Sequence, residues 1–440
     1  MKVSKQVLSV TVVICLALFM FACGEGEKVA GLEKQIEQLS IEKADLQNKI
    51  SALEGEAAKS GAGQTIKIAS SLAITGPTSD VGNPYSKGIE DYVKYVNDEK
   101  LLGDRKLVAM VRDDGYKTEV TKRNFEEFLD EGIVLYLNYS TGSTLALGKD
   151  FDEEKIPVVP ASFHAGNLAA KYVFLPIVSY SSQAIALSEY IANNHKGDGK
   201  AKIAMFIHPS AFGRGPVEDT KKAVAEGLNI EIVEVVEHGK DLDNTAMLQR
   251  FKNKGVQYVL SHTVQPPVAT MLKSAHSLGL AAKSYGEEGK ITFLGVHYSG
   301  GPDLIALAGS AAEGFNWTTS YKLTTAPGPG TDAQLALAKR YGRDDKTANS
   351  QNYTNGIQVT QIAVEAIMRA IAKGKEISRA TLTEELLAMN GYNAYYPLTT
   401  VGPVTYSDTD RQGVDMLQLY RAQNGVFKPV GVPFTSKYIK

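Results

Sequence analysis

The segment Ile133-Val134-Leu135-Tyr136-Leu137-Asn138-Tyr139-Ser140-Thr141-Gly142-Ser143-Thr144 runs from an apolar strand into a helix. Its first half is a short apolar run, the pattern of a strand buried on both faces. Its second half is rich in hydroxyls, carries one Gly and leads into helical spacing over Thr144–Phe151. A buried strand turning directly into a helix is half of a β/α unit. In open parallel sheets, ligands bind beyond the C-terminal ends of such strands. One segment therefore predicts both the fold class and a place for a ligand.

The same alternation extends in both directions. Upstream, strands are expected at Ile66–Ile74 and Lys106–Arg112, with helices at Ser86–Asn97 and Thr118–Leu129. Pro157–Pro160 reads as a short buried strand. Downstream, the strands are Lys202–Ile207, Ile230–Val236, Val256–Ser261 and Ile291–Val296. The helices between them are Gln183–Asn193, Val217–Glu226, Asp243–Lys252 and Val268–Leu278. After Trp317 the chain is mainly helical (Asp332–Tyr341, Asn355–Ala372, Arg379–Met389) and ends in strand-like Pro403–Tyr406 and Met416–Leu419. Two runs of β/α units predict an α/β protein with two open parallel sheet lobes.

Composition narrows the function. The 440 residues are 43% hydrophobic and carry 47 Lys+Arg against 49 Asp+Glu, for a net charge of −2. That length exceeds one ordinary domain. Nucleic-acid binders are usually basic, so this balance speaks against one. Forty Gly and 16 Pro are ordinary usage and exclude global disorder.

The first residues read as an export signal, residues 1–22. Lys2 and Lys5 precede an apolar run from Val7 to Ala22, too short to span a bilayer and suited to a signal h-region. Met20-Phe21-Ala22-Cys23 resembles the bacterial lipoprotein signal, in which Cys23 would carry the lipid and become the first residue. An ordinary signal peptide or a short membrane anchor, with an incidental Cys, is the plainer reading. Cysteine usage favours lipidation, because Cys15 and Cys23 are the only two and cleavage leaves Cys23 unpaired. Residues 23–64 then form a stalk and linker. Val29, Leu32, Ile36, Leu39, Lys43, Leu46, Ile50, Leu53 and Ala57 keep heptad spacing, which predicts a coiled coil and a homo-oligomer through 29–57. A single solvated helix is the alternative. Ser60-Gly61-Ala62-Gly63 reads as a flexible joint.

Catalytic signatures are missing. The sequence has no G-x-S-x-G, H-E-x-x-H, G-x-x-x-x-G-K-[ST] or G-x-G-x-x-G. The body from Thr65 onward holds no Cys, and the seven His lack metal-ligand spacing. The chain therefore reads as a binding protein without cofactor or metal. Its candidate ligand residues are those of the strand-end turns. Ser140, Thr141, Gly142 and Ser143 suit a carboxylate at a helix start, or simply cap the helix. Phe163 and His164 follow the Pro157–Pro160 strand. On the second lobe the turns offer Phe212, then His262 and Gln265, then His297.

These pieces resemble one family. Ile66-Lys67-Ile68-Ala69 with Thr75-Gly76-Pro77, Gly88-Ile89, Asp113-Asp114, Ile156-Pro157-Val158-Val159 and Ala312-Glu313-Gly314 are similar in order and spacing to type I periplasmic binding proteins of branched-chain amino acid ABC importers. The resemblance covers roughly Thr65 to Phe427. It implies two lobes (65–180 plus 317–402, and 181–316 plus 403–440) joined by crossovers near Pro176–Ser182, Gly314–Ser320 and Gly402–Tyr406. It implies a hinge that closes on a small ligand, a membrane permease as partner and an exported location in the cell envelope. The same fold also serves sensors that signal to a membrane partner. Carried over by position, the family's carboxylate contacts fall on Thr141 and Gly142 with Ser143 adjacent, and the contacts after Pro160 on Phe163 and His164. Its second-lobe aromatic falls on Phe212, the next contact near Val264 or Gln265, and the first-lobe wall on Val81. The family's acidic partner for an α-ammonium falls on His297, which carries no negative charge. The implied ligand is an organic or aromatic carboxylate without an ammonium, an amino acid served by another carboxylate such as Asp80 or Asp303, or a neutral, amide-like molecule.

Overall fold

Strand and helix alternate from Thr65 onward because apolar runs and amphipathic stretches alternate there. The computed structural model describes residues 34–45, 47, 63–239, 243–392 and 397–437. Residues 34–45 are helical, and the seam residues Ile36 and Leu39 are exposed. The signal peptide, Cys23 and the rest of the heptad stretch lie outside the described residues.

The unit Gly63–Lys440 contains two sheets. The first is ordered β2-β1-β3 and parallel, from β1 (Thr65–Leu72), β2 (Lys106–Asp113) and β3 (Leu135–Tyr136). Single parallel bridges extend it from Tyr136 to Val158, from Val158 to Val173 and from Leu175 to Gln412. The expected strand at Pro157–Pro160 is reduced to such a bridge. Helices α1 (Ser79–Asp98) and α2 (Thr118–Asp130) follow β1 and β2.

The second sheet has seven strands, β10-β9-β8-β7-β6-β4-β5. Parallel pairing joins β5 (Ile230–Glu237), β4 (Ala201–Ile207), β6 (Tyr258–His262), β7 (Thr292–Gly295) and β8 (Asn316–Thr319). The antiparallel strands β9 (Leu417–Gln423) and β10 (Val426–Phe434) complete it. Trp317 on β8 is fully buried and packs on Tyr420 and Phe427 of these last two strands.

The last crossover falls later than the sequence suggested. Val404, Tyr406 and Val414 pack in the core of the first lobe, and Gln412 bridges Leu175 there. The chain therefore rejoins the second sheet at Leu417, not at Gly402–Tyr406. Pro403–Tyr406 is no strand, since only Val404 pairs, with Tyr392. Its apolar residues fill the first lobe's core instead.

Five more helices position the site: α3 (Thr141–Ala146), α4 (Tyr180–Asn194), α5 (Ala211–Ala225), α6 (Gln265–Ser277) and α7 (Gln351–Ala372). Helix α7 is buried continuously from Gln351 to Ile367 and packs along α1. Helix α5 begins at Ala211, earlier than the expected Val217, so Phe212 lies in its first turn. Pro216 sits inside this helix and has no N–H for the Phe212 carbonyl four residues back. The His262 Nε2 takes that carbonyl instead, at 2.8 Å.

Candidate functional site

The hydroxyl-rich turn forms as a strand-to-helix joint, and most of its hydroxyls serve the joint itself. Ser140 is the N-cap of α3, and its Oγ accepts from the Ser143 N–H. Ser143 Oγ lies 2.6 Å from Ser140 Oγ, and Thr144 Oγ1 donates to the Ser140 carbonyl at 2.7 Å. Asn138 Nδ2 donates to both Ser143 Oγ and Thr144 Oγ1. Ser143 is thus committed to capping. Thr141 Oγ1 reaches across to Ser162 Oγ at 2.7 Å and ties this turn to the next one. Gly142 lies in the first turn of α3.

A cavity of about 290 Å³, counted with the solvent at its mouth, lies where the two lobes meet. The first lobe contributes Thr78, Val81, Tyr116, Tyr139, Ser140, Thr141 and Ala161. Tyr180 enters at the first crossover, and Phe212, Val264 and Tyr298 come from the second lobe. Among the described residues no Asp, Glu, Lys, Arg or His lines it.

The lobes touch directly around this space. Tyr298 OH donates to the Ala161 carbonyl at 2.7 Å and accepts from Asn355 Nδ2 at 2.6 Å. Its ring stacks on Phe163 with 9° between planes. Gln351 Nε2 donates to the carbonyls of His297 and Gly300, and Ser350 Oγ to Asp303 Oδ2 at 2.9 Å. The Tyr116 ring meets His208 edge-on, and His164 packs on Gly215, where a Cβ would come within 2.4 Å of the imidazole. This is a closed cleft.

The structure sorts the sequence candidates. Ser140, Thr141 and Phe212 line the cavity, as do Val81 and Val264. Phe163 is fully buried behind Tyr298. His164 sits at the seam beside the cavity, with its Nδ1 accepting from the Gly166 N–H. Gln265 is buried and donates to the Gly300 carbonyl.

Neither His262 nor His297 lines the cavity. His262 is fully buried behind Tyr180 and Phe212, with ring centroids 4.6 and 4.4 Å away. His297 is fully buried between Phe163, Tyr298 and Tyr321 and meets Thr319 Oγ1 at 2.9 Å. Burial drives both imidazoles down to about 3, so both are neutral at physiological pH. The sequence placed His262 and His297 among the candidate ligand residues, and the structure sets both rings behind the cavity wall instead. Strand-end His residues here are apolar-packed wall supports, because a charged ring there would lose its hydration.

Sequence reasoning missed Thr78, Tyr116, Tyr139, Ala161, Tyr180 and Tyr298 as wall residues. Tyr298 stood next to a named candidate, and Tyr116 follows Asp113-Asp114-Gly115 at a strand end. The usable signal was the run of tyrosines at strand ends. Burial raises Tyr116 to about 12 and lifts Tyr139, Tyr180 and Tyr298 as well, so all four act as neutral phenols.

Comparison with known proteins bears on this cleft. A family model described as periplasmic binding protein matches residues 65–426. The chain is 25% identical over 268 residues to the leucine-, isoleucine-, valine-, threonine- and alanine-binding protein of Pseudomonas aeruginosa, covering 60% of this chain and 68% of that one. It is 22% identical over 348 residues to the leucine-specific-binding protein of Salmonella typhimurium, covering 78% and 87%. Among solved structures, a branched chain amino acid ABC transporter protein from Thermus thermophilus with bound valine is 43% identical, with TM-score 0.81, over 86% of this chain and 98% of that one. A solute binding protein of Rhodopseudomonas palustris HaA2, solved with p-hydroxybenzoic acid, shares the fold at 19% identity and TM-score 0.69, covering 84% and 97%.

Proposed function

The chain belongs to the periplasmic binding protein family, and from that premise we propose that it is the lipid-anchored solute receptor of an ABC-type importer. Its ligand is a small amino acid or an organic or aromatic carboxylate, captured between the lobes and delivered by hinge closure to a permease. The observation that carries this reading is the small cavity walled by residues of both lobes. A ligand touching both walls favours the closed state by its differential affinity, and closure is what a membrane partner can sense. In this reading Ser140 and Thr141 orient the carboxylate end, while Phe212, Val81 and Val264 enclose the body. Phe163, His262 and His297 hold the wall from behind.

A thermal-shift screen of amino acids and small carboxylates tests the proposal. One class should raise the melting temperature by mass action, with no product formed from it. No shift across both panels would defeat the reading. Export follows from the family, and the anchor rests on Cys23. Cys23→Ser is expected to move the protein from the membrane fraction to the soluble fraction of fractionated cells. Unchanged fractionation would remove the lipid from the account.

The heptad repeat over 29–57 favours a second reading, a receptor that signals as an oligomer to a membrane partner. The exposed Ile36 and Leu39 on the described helix are consistent with self-association. Co-purification with a permease or with a signalling protein separates the two readings.

A further inference from the structure

We infer that Asn355 is a positioning residue for solute capture: it ties the cavity wall at Tyr298 to the crossover at Tyr321, so the wall is complete only when the lobes shut. This role rests on the solute-binding reading above and deepens it.

Asn355 lies on α7, whose following turns fill the first lobe's core, and it is fully buried. It does not line the cavity itself. Its Nδ2 donates to Tyr298 OH at 2.6 Å, and its Oδ1 accepts from Tyr321 OH at 3.0 Å. Tyr298 is held by the second lobe on both sides. The His297 N–H donates to Gln183 on α4 at 3.0 Å, and Ser299 Oγ accepts from the Thr263 N–H at 3.1 Å. Tyr321 follows β8 and straddles the lobes. Its ring lies in the first lobe's core, while its carbonyl accepts from Tyr420 OH of β9 at 2.9 Å.

The direction of every link is fixed by what each group can do. The Ala161 carbonyl can only accept, so Tyr298 OH donates to it, at 2.7 Å. The phenol oxygen is left as an acceptor and takes the Asn355 N–H. The amide then turns its oxygen to Tyr321, whose OH donates. Ala161 and Asn355 are first-lobe groups, so opening the cleft parts Tyr298 from both and frees its ring. The same helix end grips this segment through Gln351 Nε2, which donates to the His297 and Gly300 carbonyls, and through Ser350 Oγ, which donates to Asp303. Of these three residues, Asn355 is the one that reaches a side chain lining the cavity.

A double-mutant cycle on the full chain in detergent tests the link, with L-valine as the calorimetric probe. Tyr298→Phe removes the hydroxyl. Asn355→Leu removes the amide yet leaves each hydroxyl an acceptor, Ala161 O for Tyr298 and Gln358 Oε1 for Tyr321, so the variant should fold. Each single change should weaken binding about tenfold, the loss of one buried hydrogen bond. The double variant should bind no more than about threefold worse than the weaker single, because both changes break one link. A loss of about a hundredfold in the double variant, the product of two independent effects, would overturn the role. Singles that bind like wild type would overturn it as well. Hydrogen exchange on the unliganded protein reads the link with no solute present. Amides of residues 297–303 should exchange about tenfold faster in either variant, while those of 357–367 keep their protection. Unchanged exchange over 297–303 would defeat the inference. Wild-type protein that binds no L-valine would count against amino-acid capture and leave the exchange result to decide the link.

Discussion

Lowering the pH from 7 to 5 is expected to cost the protein about 4 kcal/mol of folding stability through two buried histidines, roughly 2 kcal/mol from each. His262 and His297 are fully buried, and desolvation drives each down to about 3. In the unfolded chain each returns to about 6.5. Below that value the unfolded state binds two protons that the folded state refuses. The contribution is therefore complete above about pH 6.5 and is lost as pH falls toward the folded-state values. His208 at the lobe seam acts in the same sense, held at about 4 by burial, with His238 and Arg214 adding repulsion and Glu237 opposing it. The raised carboxyls of Asp80, Asp114 and Asp303 act the other way, because the folded state keeps their protons longer.

Urea melts at pH 7, 6 and 5 check this. His262→Gln keeps a donor for the Phe212 carbonyl and removes the titration, and His297→Gln does the same at the other site. Each variant should lose stability at pH 7 yet show a shallower fall toward pH 5. Parallel curves for wild type and both variants would mean that the rings are not kept neutral.

The β/α alternation was legible because a strand buried on both faces and an amphipathic helix have different hydrophobic periods. Boundaries were less legible wherever side chains, not periodicity, set them. The start of α5 depends on Pro216 releasing the Phe212 carbonyl and His262 accepting the task, a pairing between distant turns that no local pattern announces. The crossover after Val414 was misplaced because 403–414 has no regular period and enters the core through single residues. The candidate site was legible as a set of strand-end turns. Which side chain of a turn faces the cleft was not, because adjacent residues such as His297 and Tyr298 point to opposite sides of the wall. Hydroxyl density at Ser140–Thr144 pointed at the right turn, although capping uses Ser143 and Thr144.

Gly356→Val is expected to destabilise the protein by more than about 3 kcal/mol, the upper range for forcing atoms into a packed contact. Helices α1 and α7 cross with their backbones in contact. A Cβ at Gly356 would lie 2.0 Å from the Tyr85 carbonyl oxygen, and one at Gly88 would lie 2.3 Å from that of Tyr353. Both obstacles are backbone, so no side-chain rotation relieves them and the helices must separate. Helix propensity argues the opposite, since a helical Gly costs about 1 kcal/mol relative to Ala. The steric effect should win because separation would loosen a helix that is buried from Gln351 to Ile367. The same helix carries Gln351 and Asn355, which bond the Gly300 carbonyl and Tyr298 OH across the cleft. Displacing it pulls the cavity wall as well as the core. Gly356→Ala, the smallest version of the change, should therefore lower both the urea midpoint and the affinity for whichever carboxylate or amino acid shifts the wild-type melting temperature. A Gly356→Ala protein more stable than wild type would show that propensity governs the site and that the two backbones are not in contact.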